Sequence, residues 1–204
     1  MIGDATRLGE VLASLPVLPF DGILYRAVTH RALIGDPPYP EIRPLYDAGA
    51  PSSGARYTPR GGMKSLYLAA DPETAFAEVN QIYAKLRRQS PPVMAPVPAC
   101  TLFSVAARIE RVLDLTDIAI QSALETNEAE LSAPWRESQQ SGTLPPTQWL
   151  GRAAYDTTVI QALRYPSMQL PGHACFVVFT ERLQGNTFIE VDDASGYLRE
   201  RLPQ

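Results

Sequence analysis

The side chains with chemical reach in this sequence are Arg26, Arg56, Tyr57, Tyr67, Glu78 and Ser167. Tyr67 follows Arg56 by 11 positions and Glu78 follows Tyr67 by 11 more, so a loop, a strand and a helix each contribute one polar group in quick succession. Arginine presents a planar fork of donors that clamps phosphate or carboxylate oxygens. A carboxylate stabilises positive charge as it develops, and tyrosine and serine hydroxyls orient what the other groups hold. Other chemistries lack their residues. No Walker loop or GxGxxG follows a strand, since Gly61-Gly62 leads into one. His30 and His173 have neither a second histidine nor a cysteine pair at zinc-binding spacing, so no metal site is expected. No GxSxG elbow is present.

The elements that must carry these groups can be read from patterning. Ile23 to Val28 follows the turn signal Asp21-Gly22 and reads as a strand bearing Arg26. Residues 34–62 are rich in proline and glycine and read as one long loop. Tyr39, Tyr46, Arg56, Tyr57 and Arg60 make that loop a binding rim. Ser65 to Ala69 is a short strand with Tyr67 at its centre. Asp71-Pro72-Glu73 then supplies a cap, a first-turn proline and a first-turn acid for a helix running to about Arg88. Ala75, Val79, Ile82, Tyr83 and Leu86 form its apolar stripe, with Glu78 at the edge.

Further on, Thr101 to Ile109 and Val112 to Leu115 read as two antiparallel pieces, Thr116 to Leu124 as a short helix and Thr147 to Asp156 as another. The polar stretch from Thr126 to Pro146 has no evident role. Val159 to Tyr165, Cys175 to Phe179 and Asn186 to Val191 complete the strands. An amphipathic helix around Leu8, Val11, Leu12 and Leu15 opens the chain. Short strands with irregularly inserted helices indicate an α+β fold: one domain over residues 1–204 with a mixed, mostly antiparallel sheet and a core at about 22–180.

Composition narrows the classes. A chain of 204 residues, 45% hydrophobic and 20% charged, can bury a core without staples. The net charge of −4 leaves no basic stripe for a nucleic-acid backbone. No apolar run reaches the roughly 18 residues a membrane span needs. Asp4, Arg7 and Glu10 interrupt what would be an export signal, and Cys100 and Cys175 lie in apolar surroundings, so a reducing cytoplasm is the expected compartment.

On residue type alone each candidate also has a plainer reading. Glu78 suits a solvated helix edge, Arg26 a pairing with an acid such as Asp21, Tyr67 a core position, Ser167 an ordinary turn and His173 a structural role.

Order and context favour the chemical reading. Tyr25-Arg26, then Gly54-Ala55-Arg56-Tyr57, Tyr67 in its strand, Glu78 in its helix and Tyr165-Pro166-Ser167 before an apolar strand ending in Phe179 resemble the RES-domain family, named for its Arg, Glu and Ser. The resemblance spans roughly residues 22 to 180. Departures are Tyr57 where the family usually has Trp, Thr58 in place of Asn, a longer and more proline-rich stretch between Arg26 and Arg56, and Ala162 in place of Gly.

The resemblance implies a fold similar to ADP-ribosyltransferases. It also implies the toxin of a toxin–antitoxin pair, which destroys NAD by hydrolysis or phosphorolysis of its nicotinamide glycosidic bond. NAD is then a substrate rather than a cofactor, and phosphate a candidate co-substrate. Glu78, Arg56 and Tyr67 are the implied catalytic residues, and Arg26, Tyr57 and Ser167 the substrate-binding ones. Ser167 could meet the ribose or position Glu78. The implied partners are an Xre-like, DNA-binding antitoxin and a second copy of the chain. Transfer of ADP-ribose to a protein, or NAD binding without turnover, are the alternatives the same residues allow.

Overall fold

The segment Ala174–Phe179 is apolar and buried at every position, the signature of a strand covered on both faces. A computed structural model of the chain, which describes residues 1–35, 42–80, 98–193, 195 and 198–203, places this strand inside a seven-stranded mixed sheet. The strands are β1 (Leu18–Thr29), β2 (Ser65–Ala69), β3 (Cys100–Asp114), β4 (Ala162–Pro166), β5 (Ala174–Phe179), β6 (Phe188–Asp192) and β7 (Arg199–Leu202). Their order is β1-β2-β5-β4-β3-β6-β7, and β1 also pairs along β3, so the sheet curls back on itself. Among the described residues only β3 and β4 run parallel; the other pairings are antiparallel. The expected mixed, mostly antiparallel α+β fold is the one found.

Alternation along β5 divides the interior in two. Phe176 and Val178 join Leu24, Leu66, Leu68, Phe103 and Val105 on one face. Cys175, Val177 and Phe179 join Leu113, Leu163, Tyr165 and the helices on the other. Each fully buried aliphatic or aromatic side chain contributes about 1.5–3 kcal/mol, so this strand pins both clusters together.

Val105, Ala107 and Ile109 are buried at every second position, then Val112 and Leu113 are buried side by side. The alternation slips at Glu110-Arg111, where β3 holds an extra residue against β1, as the pairs Phe20↔Ile109 and Leu18↔Val112 show. Gln161, itself buried, accepts from both stranded amides, Glu110 N–H at 3.0 Å and Arg111 N–H at 3.2 Å. The two antiparallel pieces expected on either side of this point are therefore one continuous bulged strand.

The helices are α1 (Ala5–Ser14), α2 (His30–Ile34), α3 (Gly49–Ser53), α4 (Pro72–Val79), α5 (Ile118–Ala123), α6 (Glu128–Ser132), α7 (Trp135–Gln140) and α8 (Pro146–Asp156). Leu8 and Leu12 bury the inner face of α1 as their spacing predicts. The Asp71 side chain caps α4, accepting from Thr74 N–H at 2.8 Å. The rest of the helix expected to reach Arg88 lies outside the described residues. The segment expected to be one unbroken loop contains α3, and the polar stretch after Thr126 contains α6 and α7. β1 begins five residues before the expected Ile23, and β7 lies beyond any strand expected from the sequence.

Candidate functional site

β1 meets β2 at the single pair Tyr25↔Ala69 and then leaves it. A cavity of about 480 Å³ opens where they part, lined from β1, β2, α3 and α4, with α7 along one wall. Its lining carries the cations Arg26, Arg43, Arg56 and Arg136 and, among the described residues, the single carboxylate Glu78. A protein of net charge −4 thus has a cavity of opposite sign. Such a site draws in a polyanion and holds one acid against it.

Glu78 lies on the half-buried face of α4 and is anchored from the turn after β4. Its Oε1 accepts from the Ser167 hydroxyl at 2.7 Å and from the Met168 N–H at 3.1 Å, with the Cys175 thiol at 3.8 Å. The Ser167 Oγ in turn accepts from the N–H groups of Gln169 and Leu170, both at 3.2 Å. Ser167 is buried, sits behind Glu78 and is not on the cavity lining. Of the two roles open to it from sequence, positioning Glu78 is the one its contacts fit. Burial, followed by the Glu78 charge, pushes the Cys175 thiol up and keeps it protonated at neutral pH.

The Arg26 guanidinium donates to the carbonyls of Pro44 at 2.5 Å and Tyr46 at 3.1 Å, so it holds the rim as well as facing the cavity. Burial lowers its pKa to about 10 against the opposing pull of Glu200 and Asp47; it remains a cation at neutral pH. Asp21, a pairing partner open to Arg26 from sequence, pairs with Arg108 instead at 2.9 Å. Arg56 donates through Nη1 to the carbonyls of Leu131 at 2.9 Å and Ala133 at 3.0 Å, which docks the loop onto α6 and leaves the guanidinium on the lining.

The Tyr67 hydroxyl accepts from Tyr57 N–H at 2.9 Å and shares a hydrogen bond of 2.9 Å with Thr58 Oγ1, which is 2.6 Å from Ser65 Oγ. Thr58, at a position where the family usually has Asn, is therefore the knot of this small network. Burial pushes the Tyr67 hydroxyl well up, opposed by its Thr58 and Tyr57 hydrogen bonds, so it works as a neutral group. Tyr57, expected on the substrate side, is fully buried and off the lining. Its ring packs on Tyr165 at 4.7 Å between centroids, and its hydroxyl has no partner among the described residues. The reason is close packing: a Cβ at Gly151 of α8 would lie 2.0 Å from the Tyr57 carbonyl oxygen. Only glycine lets the helix approach that loop.

Several lining residues were not singled out from the sequence as site residues. Trp135 and Arg136 come from the stretch with no assigned role; the Arg136 guanidinium stacks over the Trp135 ring at 4.5 Å. Burial lowers the pKa of Arg136, as does the nearby Arg56, while Glu78 opposes them. An aromatic next to an arginine in an otherwise polar stretch was the available signal. Tyr46 is on the lining as a rim residue should be, Arg60 is not, and Tyr39 lies outside the described residues. His173 has the structural role expected of it, bonded to Asp71 at the start of α4 through Nδ1 at 2.9 Å.

A curled mixed sheet thus holds one carboxylate among arginines in a cavity whose charge suits an anionic ligand. The RES domain model matches residues 23–195, and the chain belongs to that family. The fold is similar to that of a chain in the crystal structure of the M. tuberculosis MbcT–MbcA toxin–antitoxin complex, with a TM-score of 0.63 at 16% identity over 92% of this chain and 90% of that one. No curated protein matches.

Proposed function

We propose that this chain is a toxin that degrades NAD at the bond between nicotinamide and ribose, and that a cognate antitoxin restrains it by covering the cavity. The observation that carries the reading is Glu78: the one carboxylate among the described lining residues, fixed by Ser167 and Met168, in a cavity whose other charged groups are four arginines. The family and a structural neighbour that is part of a toxin–antitoxin complex support it.

In this reading Arg56, with Arg26 at the rim, clamps the pyrophosphate, whose two negative charges match planar donor forks. The bond from ribose C1′ to the nicotinamide nitrogen breaks, and its electron pair leaves with the nicotinamide ring. Positive charge then spreads over C1′ and the ring oxygen, as in glycoside cleavage. Glu78 accepts a hydrogen bond from a ribose hydroxyl and stabilises that charge; it accelerates the step to the extent that the interaction strengthens in the transition state. Tyr67 orients the nicotinamide. A water oxygen adds to C1′ and releases a proton to solvent, or a phosphate oxygen adds and leaves the sugar phosphorylated there.

Nicotinamide release from NAD by purified protein, with and without phosphate and beside Glu78→Gln, tests this. Release by the wild type and its loss in the variant are expected, and dependence on phosphate distinguishes the two acceptors. A fully active Glu78→Gln protein, or no release under any condition, overturns the assignment.

A further inference from the structure

The family match ends at residue 195, yet a side chain beyond it grips the rim of the cavity. β7 pairs with β6 through Ile189↔Leu202, Val191↔Glu200 and Asp192↔Arg199. Alternation sends Arg199 and Arg201 outward, where both reach Glu190. It turns Glu200 inward with Leu202, toward the apolar cluster that includes Leu33, Leu45, Ile189 and Val191. The Glu200 side chain is only 11% exposed.

A carboxylate this buried needs partners, and it finds them in the rim. Oε2 accepts from the Leu45 N–H at 2.7 Å, and Oε1 accepts from Arg43 Nε at 3.2 Å with Nη2 also at 3.2 Å. From the other side Arg26 donates to the carbonyls of Pro44 and Tyr46. The backbone of three consecutive residues, 44 to 46, is thereby fixed by one half-buried anion and one half-buried cation. Arg43, just before that tripeptide, and Tyr46, its last residue, line the cavity.

We infer that Glu200 is a positioning residue that, with Arg26, holds the segment 43–46 in its substrate-receiving arrangement and so sets affinity for the anionic ligand without touching it. The ligand identity rests on the proposed function; the grip does not. A hydrogen bond to a charged acceptor is worth enough that its loss shifts binding by about tenfold.

The test pairs amide exchange with kinetics on the full chain carrying Glu200→Ala, Glu200→Gln or Glu200→Asp. In Glu200→Ala the Leu45 amide is expected to exchange at least about tenfold faster, and KM for NAD to rise about tenfold with kcat within twofold of the wild type. Glu200→Gln, which keeps an acceptor for the Leu45 N–H, restores most of both. Should the alanine variant not fold, Glu200→Asp withdraws the carboxylate by one methylene and carries the same readouts at smaller amplitude. Unchanged Leu45 exchange overturns the grip, and faster exchange with unchanged KM overturns its link to affinity. If the wild type releases no nicotinamide, the proposed function fails while Leu45 exchange still decides the grip.

Discussion

Replacing Ser167 with alanine removes the shortest of the three hydrogen bonds that reach Glu78 Oε1, the one at 2.7 Å, and leaves the Met168 N–H at 3.1 Å and the Cys175 thiol at 3.8 Å. It also strands the N–H groups of Gln169 and Leu170, which bond the same hydroxyl. The first loss frees the Glu78 carboxylate to turn away from the cavity. A hydrogen bond to a charged group is worth about 1.5–3 kcal/mol. At about 1.4 kcal/mol per factor of ten, kcat for nicotinamide release falls about ten- to one-hundred-fold. KM is expected to stay within about threefold, because the arginines proposed to hold the pyrophosphate are untouched. The stranded amides lie in a half-buried turn, so global stability falls by about 1–2 kcal/mol, read as a shift in the urea midpoint. Steady-state kinetics on Ser167→Ala and Ser167→Thr separate the effects, since threonine keeps the hydroxyl. A Ser167→Ala enzyme with wild-type kcat would falsify the idea that Ser167 works through Glu78.

Other substitutions probe the framework. Arg56→Ala should raise KM for NAD by more than it lowers kcat, and an unaltered KM would remove Arg56 from binding. Tyr57→Phe deletes a buried hydroxyl that has no partner among the described residues, so it should be neutral or stabilise by up to about 1 kcal/mol in urea unfolding. Gly151→Ala drives a Cβ to 2.0 Å from the Tyr57 backbone oxygen and should destabilise the fold by about 2 kcal/mol or more, seen as a lower Tm. The Asp71–His173 pair predicts a pH window. Burial pulls the Asp71 carboxyl upward, but hydrogen bonds from His173 and Thr74 outweigh it and hold it below 3.8. The hydrogen bond to Asp71 holds His173 above 6.5. The Asp71 contribution is present above 3.8 and lost as pH falls through its lowered value; that of His173 is present below 6.5 and lost as pH rises through its raised value. The difference in Tm between wild type and His173→Asn should be largest between those limits and shrink by pH 9.

What could be read from the sequence was whatever local physics writes locally. The apolar run of β5, the Asp-Pro-Glu opening of α4 and the Leu8–Leu12 stripe of α1 all appear where their patterns put them. β3 read as two pieces because a bulge shifts the alternation by one at Glu110-Arg111, and the group that satisfies it, Gln161, is distant in sequence. β7 escaped because its Arg-Glu-Arg-Leu pattern has a carboxylate where a buried strand face calls for an apolar residue. Glu78 and Ser167 were legible as residues, but their bond joins positions 89 apart. Tyr57 looked like a ligand group because nothing local shows that Gly151 and Tyr165 enclose it. Trp135 and Arg136 reach the cavity through contacts distant in sequence, the docking of Arg56 onto the carbonyls of Leu131 and Ala133 and of Gln139 onto the Ser53 carbonyl.

The pairing of β2 with β5 also decides when, during synthesis, the site can take shape. Leu68 and Ala69 meet Phe176 and Cys175, residues synthesised more than one hundred positions later. Tyr67 and Glu78 leave the ribosome early, but their back wall and the Ser167 anchor do not yet exist. Contacts this far apart in sequence form late and together. A nascent chain short of β5 therefore carries every arginine of the cavity before the strand that backs it exists, so the charges are made first and the shape that gathers them follows only after β5 has been synthesised.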